Sequence, residues 1–339
     1  MRYRKLVAGE EVFATRRYSL KPVFRIDRAA WIWHPCKKKD EPAFLLFRKK
    51  IKINEKSLLK LQITADQHFI LMVNKKRLTR GPDRSDPEHW SFNDFELELE
   101  AGSYTFEVLV WWLGDHAPLS LMTCQGGFIL KAAAPFDREL TTGKADWEVS
   151  ACEGWEMTPS DFEDYHVIGD SLHINAATWH HSAQKKMKPV IVRPPLNNQI
   201  HGVKPDALWC LYPSTLPELL DHNMSPGRIR AVIPDYQDGN IIRPENIETE
   251  SCRVWQKLLE KSAKIVLPPG TDLTVFWDFE DYLCGYHEIT VEKGKGSFIE
   301  CLWAESLYNP VTGEKEDRGQ IAGKVFKGFG SSYQAAGRK

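Results

Sequence analysis

Apolar and polar residues alternate along residues 30–130, and a period of two is typical of β-strands with one buried face. The alternation is clearest in FELELEAGSYTFEVLV, residues 95–110, where the turn AGS separates two runs and predicts an antiparallel pair. A second pair is predicted on the two sides of Asn74-Lys75-Lys76, because asparagine tolerates the positive φ of a tight turn. Four or more such strands without intervening helices predict an all-β fold, with a jelly-roll sandwich over residues 1–185.

The pattern changes between residues 186 and 250, where prolines repeatedly interrupt it. We interpret this segment as a connector between domains that contains short helices. Ser214 and Thr215 are placed to cap a brief helix that starts near Pro217. Thr249 is placed to cap another helix, whose apolar face is formed by Cys252, Trp255, Leu258 and Leu259.

A second β region is predicted over residues 251–339. One strand is expected around Leu273, Val275 and Trp277, and a hairpin is expected around Gly294-Lys295-Gly296. The arms of that hairpin would carry Ile289 and Val291, then Ile299, Cys301 and Trp303. Beyond Arg318 the alternation gives way to a glycine-rich tail. Since two or three strands are too few to close a sandwich, we expect an incomplete second β-sandwich with an exposed apolar face.

Charge and cysteine content narrow the functional classes. The formal net charge of −1 over 339 residues predicts no bulk attraction to nucleic acid or to an anionic membrane. The seven cysteines are scattered and form no CxxC motif, so neither a disulfide framework nor a zinc site is predicted. No apolar segment suits a membrane span or a signal peptide, which favours a cytoplasmic location. A misassigned start codon would leave an extracytoplasmic location open.

Motifs for catalysis are absent from the sequence: there is no GxSxG, HExxH, P-loop or GxGxxG. Paired carboxylates suit glycoside hydrolysis, and the candidates by proximity are Asp278, Glu280, Asp281 and Glu305. Asp278 and Glu280 would share one face of a strand. Because 46 of 339 residues are acidic, such proximity is expected by chance. We therefore assign no catalytic residue, no cofactor and no metal ligand. The adjacent His180 and His181 are not assigned as metal ligands either.

Aromatic and arginine side chains are the candidates for carbohydrate contact. Tryptophan occurs 12 times, and its flat ring can stack on the C–H face of a sugar. Trp111 and Trp112 are adjacent in a strand, so they face opposite sides. Arg80 and Arg84 in the turn-forming loop RGPDRSD, with Trp90 after it, could hold hydroxyls or carboxylates through planar donor forks. In the competing interpretation the tryptophans, Trp31 and Trp33 included, fill the core and the loop braces neighbouring strands. Such structural roles are more common for these residues in β-sandwiches.

Several ordered segments resemble the N-terminal region of bacterial α-L-rhamnosidases, an inverting family of glycoside hydrolases. They are AWIW, FRKKI, ITADQHFILMVN, RGPDRS, WCLYPSTLP, PPGTDLTVFWDFEDYLCGY, EITVEKGKGSFIECLWAESLY and EKEDRGQIAGKVFKGFG. The resemblance covers roughly residues 30–330 and implies a galactose-binding-like β-sandwich followed by a second sandwich.

The family's catalytic glutamates lie in an (α/α)6 barrel, and no segment of this chain resembles that barrel. The resemblance therefore implies a truncated, non-catalytic portion of a hydrolase that acts on terminal α-L-rhamnosides. Its partners would be the barrel of a longer parent protein and a rhamnoside-type glycan. The alternative is a free-standing carbohydrate-binding or scaffold protein.

Overall fold

The computed structural model describes residues 1–6, 29–38, 40–158, 170–193, 209, 211–219, 222–237, 239–261 and 263–337. It divides into two compact units, Met1–Leu219 and Leu220–Lys339. Most of the regular structure is β-strand, which confirms the predicted all-β class.

The first unit contains two facing sheets. Its strands are β1 Arg2–Leu6, β2 Trp31–Trp33, β3 Ala43–Ile53, β4 Ser57–Asp66, β5 His68–Val73, β6 Lys76–Gly81, β7 Trp90–Leu99, β8 Gly102–Trp112, β9 Gly127–Ala132, β10 Glu148–Ala151, β11 Trp155–Thr158, β12 Ser171–Asn175, β13 Val190–Arg193 and β14 Leu211–Pro213. Two short helices, α1 Asp137–Leu140 and α2 Ala176–Ser182, complete it. One sheet has the order β1-β7-β4-β9-β2-β13, with β14 parallel to β7, and the other has the order β10-β3-β8-β5-β6. β11 and β12 belong to neither sheet and pair with each other antiparallel.

The main core lies between these two sheets. Along β7, Phe95, Leu97 and Leu99 are fully buried while the residues between them are not, as the alternation predicted. Phe47 of the other sheet meets Phe128 across the interface with ring centroids 4.8 Å apart. Burying each such side chain stabilises the fold by about 1.5–3 kcal/mol, so this interface is the principal source of stability in the unit.

Apolar clusters also cover the outer faces of both sheets. On one outer face Trp31 stacks on Trp209 at 3.9 Å, and Trp90 belongs to the same cluster. On the other outer face Trp111 packs in a cluster with Phe44. Because both faces of the central strands are covered, adjacent apolar residues in one strand are buried on opposite sides.

The turn predicted at Asn74 is confirmed. Asn74 and Lys75 have φ of 51° and 64° and join β5 to β6. The side-chain Oδ1 of Asn74 also accepts a 2.8 Å hydrogen bond from the Thr105 amide, which ties the turn to β8.

The connector predicted over residues 186–250 is arranged differently. β13 pairs with β2 and β14 pairs with β7, so both strands extend a sheet of the first unit. The division between the units falls at Leu219, inside the predicted connector. The helix expected after Ser214 does not form in the described residues up to 219, although Ser214 Oγ accepts a 3.2 Å hydrogen bond from the Leu216 amide while donating to Asp83.

The second unit is built from two strand pairs and one helix. β15 Arg228–Pro234 pairs antiparallel with β16 Leu273–Asp278, and β17 Phe298–Trp303 pairs antiparallel with β18 Phe329–Gln334. Helix α3, Glu250–Lys261, forms where the sequence predicted it. Its residues Cys252, Trp255 and Leu259 pack on Ile229 and Val232 of β15.

The hairpin expected around Gly294–Gly296 is wrong. Ile289 and Val291 lie outside any strand, and β17 pairs instead with β18 from the glycine-rich tail. Gly330 of β18 lies so close to the backbone of Cys301 that a Cβ there would overlap the Cys301 carbonyl. A glycine in the tail therefore permits the close approach of two strands.

Candidate functional site

A small depression lies at one end of the first sandwich, where several strand ends meet. β4 ends at Asp66 and β5 starts at His68, while β6 ends and β7 starts on the two sides of the loop 82–89. Antiparallel pairing brings these ends to one rim, together with the loop 113–126 between β8 and β9. The depression is lined by Gln67, His68, Pro82, Asp83, Arg84, Ser85, Trp90, Leu121 and Met122.

Asp66 anchors the rim from below. Its carboxylate is fully buried and accepts hydrogen bonds from Cys124 N at 2.7 Å, Gln125 N at 3.2 Å and Trp209 Nε1 at 3.0 Å. The Thr123 hydroxyl donates a fourth hydrogen bond. Burial raises the pKa of Asp66 to about 6, although the hydrogen bonds oppose that rise. The carboxylate thereby holds the end of the loop 113–126 in place beside the depression.

Gln67 contributes a buried side-chain N–H donor that is unsatisfied among the described residues. The side chain is 2% exposed, and its Oε1 accepts a 2.6 Å hydrogen bond from the Leu113 amide. Its Nε2 finds no hydrogen-bond partner among the described residues. An unsatisfied buried donor costs about 1–3 kcal/mol, so an acceptor atom at this point would be favourable.

The loop after β6 is braced on both sides of Arg84. Asp83 accepts hydrogen bonds from the buried Lys5, at 3.0 Å, and from the hydroxyl of Ser214. Ser85 Oγ accepts a 3.0 Å hydrogen bond from the Ser91 amide. Arg84 itself is exposed, and within the described ranges no carboxylate pairs with it.

His68 forms one wall of the depression as a neutral imidazole. Burial, together with the positive charge of Arg84, lowers its pKa to about 4. The ring lies 5.3 Å from that of Trp111, centroid to centroid. At neutral pH the wall therefore offers a single ring N–H and no added charge.

The residues predicted from the sequence to contact carbohydrate lie in different environments. Arg84 and Trp90 line the depression. Trp90 is 2% exposed and donates from Nε1 to Thr64, so only its edge is available there. Trp111 is half-buried and reaches the site only through His68. Trp112 is 7% exposed and belongs to the main core, and Arg80 lies within β6 outside the lining. The carbohydrate role of these residues stays a prediction.

The burial of the tryptophans changes the expected mode of contact. Trp31 and Trp33 are also buried, so of the five tryptophans considered only Trp111 is even partly exposed for stacking. The core role, which was the competing interpretation, describes where Trp31, Trp33, Trp90 and Trp112 lie.

Gln67, His68, Leu121 and Met122 were missed by sequence reasoning. The signal for the first two was available, because Asp66-Gln67-His68 is a polar interruption between two apolar strands. Leu121 and Met122 carry no such signal, since they lie in a loop whose position depends on its hydrogen bonds to Asp66.

Of the four carboxylates considered in the second unit, three form ion pairs, and Asp281 accepts a 2.7 Å hydrogen bond from the Tyr282 amide. Asp278 pairs with Arg230 at 2.7 Å and Glu280 pairs with Arg228 at 2.9 Å. Glu280 lies beyond the end of β16 with φ of 58°, so the expected shared strand face with Asp278 is wrong. Glu305 pairs with both Lys315 and Arg318, and its hydrogen bond from Lys315 lowers its pKa.

Metal-holding clusters and membrane-spanning helices are absent from the described residues. No group of three or more His, Cys, Asp or Glu side chains there is arranged to hold a metal ion. The helices in the same ranges are all too short or too polar to cross a bilayer.

Comparison with known proteins gives structural neighbours only. No protein-family model matches the sequence, and no curated protein matches it. A GH78 family rhamnosidase of Bacillus sp. GL1 aligns with 62% of this chain and 23% of its own, at 21% identity and a TM-score of 0.47. The α-L-rhamnosidase from Aspergillus terreus aligns with 92% of this chain and 32% of its own, at 14% identity and a TM-score of 0.46.

A lectin from Pleurotus ostreatus aligns with 57% of this chain and 48% of its own, at 16% identity and a TM-score of 0.33. The chain thus spans less than two thirds of the length of each of these neighbours. At these identities and TM-scores the neighbours are what the chain is similar to, and its function has to be argued from its own residues.

Proposed function

We propose that this chain is a non-catalytic β-sandwich portion of an α-L-rhamnosidase-like glycoside hydrolase, and that its rim depression contacts carbohydrate. The observation that carries the proposal is the braced loop 82–85, which presents the exposed Arg84 beside the unsatisfied donor of Gln67. The ordered sequence segments that resemble the rhamnosidase N-terminal region support the choice of parent enzyme.

The depression suits a sugar because it combines fixed polar groups with a small apolar surface. Arg84 offers a planar fork of donors, and Leu121, Met122 and Pro82 offer aliphatic atoms to the C–H face of a ring. Both loops are held by carboxylates, the fully buried Asp66 for one and the partly buried Asp83 for the other. A site ordered before the ligand arrives loses less entropy on binding.

In this proposal hydrolysis of terminal α-L-rhamnosides takes place in an (α/α)6 barrel that belongs to the same parent protein. The first unit would pack on that barrel and help to hold the glycan near it. The paired carboxylates of the second unit are assigned no catalytic step, because each is neutralised by an arginine or a lysine.

The catalytic part of the proposal is tested by assaying the purified 339-residue chain on an aryl α-L-rhamnoside. We expect no release of L-rhamnose above the background rate. Sustained release that follows the protein through purification would overturn the assignment as non-catalytic.

The binding part is tested by titrating the chain with methyl glycosides of neutral and acidic sugars while its indole and arginine side-chain N–H signals are followed by NMR. We expect shifts at Trp90 and Arg84, and weaker binding by Arg84→Ala. Arg138→Ala is the matched control, because Arg138 is an exposed arginine on α1 of the same unit. If no sugar binds at millimolar concentration, the carbohydrate role is wrong.

A further inference from the structure

We propose that the rim depression selects sugars that carry a carboxylate, such as a uronic acid residue, over neutral sugars. This inference rests on the proposed carbohydrate contact and adds the class of sugar. It follows from which charges around the depression are already compensated and which are not.

Three carboxylates near the depression, among the described side chains, are engaged by other groups of the protein. Asp83 accepts from Lys5 and Ser214, and Asp86 accepts from the His89 amide at 2.9 Å and lies 3.1 Å from the His89 ring. Asp66 lies beneath the rim and is saturated by four donors. None of these groups forms an ion pair with Arg84 in the described structure.

The uncompensated charge at the mouth is therefore positive. Arg84 is exposed, and its charge is felt by His68 in the opposite wall, which is one cause of the lowered pKa of that imidazole. His68 is consequently neutral at pH 7, so its ring neither attracts nor repels an anion through a charge of its own. A guanidinium binds a carboxylate through two parallel N–H···O bonds, a geometry that a single sugar hydroxyl cannot match.

The other polar groups of the lining are largely engaged within the protein. Gln67 Nε2 has no partner among the described residues but is itself buried, and its Oε1 accepts from the Leu113 amide. The Ser85 hydroxyl accepts from the Ser91 amide and donates to the Asp83 carbonyl oxygen at 3.4 Å. A neutral hydroxyl that enters the depression must find an acceptor for its own proton, whereas a carboxylate needs only donors.

The apolar lining explains why the ligand would be a sugar acid and not a free anion. Met122 is 57% exposed and Leu121 is half-buried, so both offer aliphatic atoms beside Arg84. A pyranose ring can place its C–H face on these atoms while its carboxylate meets the guanidinium. Free acetate or sulfate would gain only the second contact.

The experiment is isothermal titration of the full chain with methyl glucuronide, methyl glucoside, methyl rhamnoside, methyl galactoside 6-sulfate and acetate. We expect the glucuronide to bind about tenfold more tightly than the matched glucoside, which corresponds to about 1.4 kcal/mol. Its affinity should fall as the salt concentration rises, since an exposed ion pair is screened.

Variants assign the preference to a residue. Arg84→Gln removes the positive charge but keeps a polar side chain, and it should make the glucuronide and the glucoside bind equally. Arg138→Ala should keep the tenfold preference, because it removes an exposed arginine elsewhere on the unit.

The outcomes separate this inference from the function on which it rests. If the glucoside or the rhamnoside binds as tightly as the glucuronide, the carboxylate preference is wrong and the carbohydrate contact stands. If the sulfated sugar or acetate matches the glucuronide, the site responds to charge alone and the inference is again wrong. If none of the sugars binds, both the inference and the carbohydrate contact are overturned.

Discussion

The two units use the same alternation of apolar and polar residues with different results. In the first unit the inward residues of β7 and β8 are fully buried between two sheets. In the second unit no residue of β16 is fully buried, and Trp277, on its predicted apolar face, is 40% exposed. A strand with a period of two can bury one face only if another layer covers that face. The difference shows that an alternating pattern identifies the apolar face of a strand, while the presence of a second layer decides whether that face is buried.

The largest expected effect tests this contrast in the core. Phe106→Ala removes a fully buried ring of the first unit and should lower its free energy of unfolding by about 4 kcal/mol. Phe298→Ala removes a mostly exposed ring of the second unit and should cost about 1 kcal/mol or less. Urea denaturation of both variants measures the two values, and equal losses would contradict the contrast.

Ion pairs sharpen the comparison at the next level. Lys5→Met leaves the Asp83 carboxylate without its buried cation and should destabilise the first unit by about 3 kcal/mol. Arg253→Ala breaks the solvent-exposed pair with Glu250 in the second unit and should change stability by about 0.5 kcal/mol or less. If the first substitution were as mild as the second, Lys5 would not be holding the loop that carries Arg84.

The pH dependence of the first unit contains two opposing contributions. The pKa of Asp66 is raised in the folded state from 3.8 to about 6, so its contribution to stability is largest below pH 3.8 and is lost as the pH rises through 6. The pKa of His68 is lowered from 6.5 to about 4, so its contribution is present above pH 6.5 and is lost as the pH falls through 4. Each amounts to about 3 kcal/mol, and in the native chain they largely cancel.

Single substitutions should expose each contribution. In Asp66→Asn only the His68 contribution remains. The free energy of unfolding of the first unit should therefore fall by about 3 kcal/mol from pH 7 to pH 4. In His68→Gln only the Asp66 contribution remains, so the free energy of unfolding should rise by a similar amount from pH 7 to pH 4. Denaturation curves at several pH values give the two slopes. Slopes of the same sign would show that one of the assignments is wrong.

The smallest expected effect concerns a glycine of the second unit. Gly330→Ala places a Cβ against the Cys301 carbonyl and should destabilise the β17–β18 pair by about 2 kcal/mol. Gly285→Ala is the matched control, because a Cβ there meets no atom within 4 Å. Thermal unfolding followed by circular dichroism compares them. Equal melting temperatures would mean that the glycine-rich tail does not approach β17 so closely.

Local signals explain which parts of the fold could be predicted. The turn at Asn74 and Lys75 and the helix that follows Thr249 depend on residues close together in sequence, and both formed as expected. The pairing of β17 with β18 joins residues about 30 positions apart, and the glycines that permit it read as a loop. Pairing over that distance is chosen by packing and close approach, which leave no period in the sequence.

The candidate site shows the same division. Arg84 and Trp90 were found because a turn-forming loop rich in arginine attracts attention, and the structure places both in the lining. The tryptophan platform was not found, because the outer faces of both sheets are covered and the rings are used in packing. Sequence alone cannot tell which face of a strand receives a second apolar layer.

The sequence by itself determined that this protein is built from β-strands, where its tight turn and its longest helix lie, and which loop is rich in arginine. These features follow from the periodicity and the backbone preferences of neighbouring residues. Only the tertiary structure decided that Asp83 is neutralised by Lys5, that Gln67 Nε2 is buried without a partner among the described residues, and that no carboxylate of those residues pairs with Arg84. Those facts depend on distances between residues far apart in the chain, and charge and hydrogen bonding act through distance.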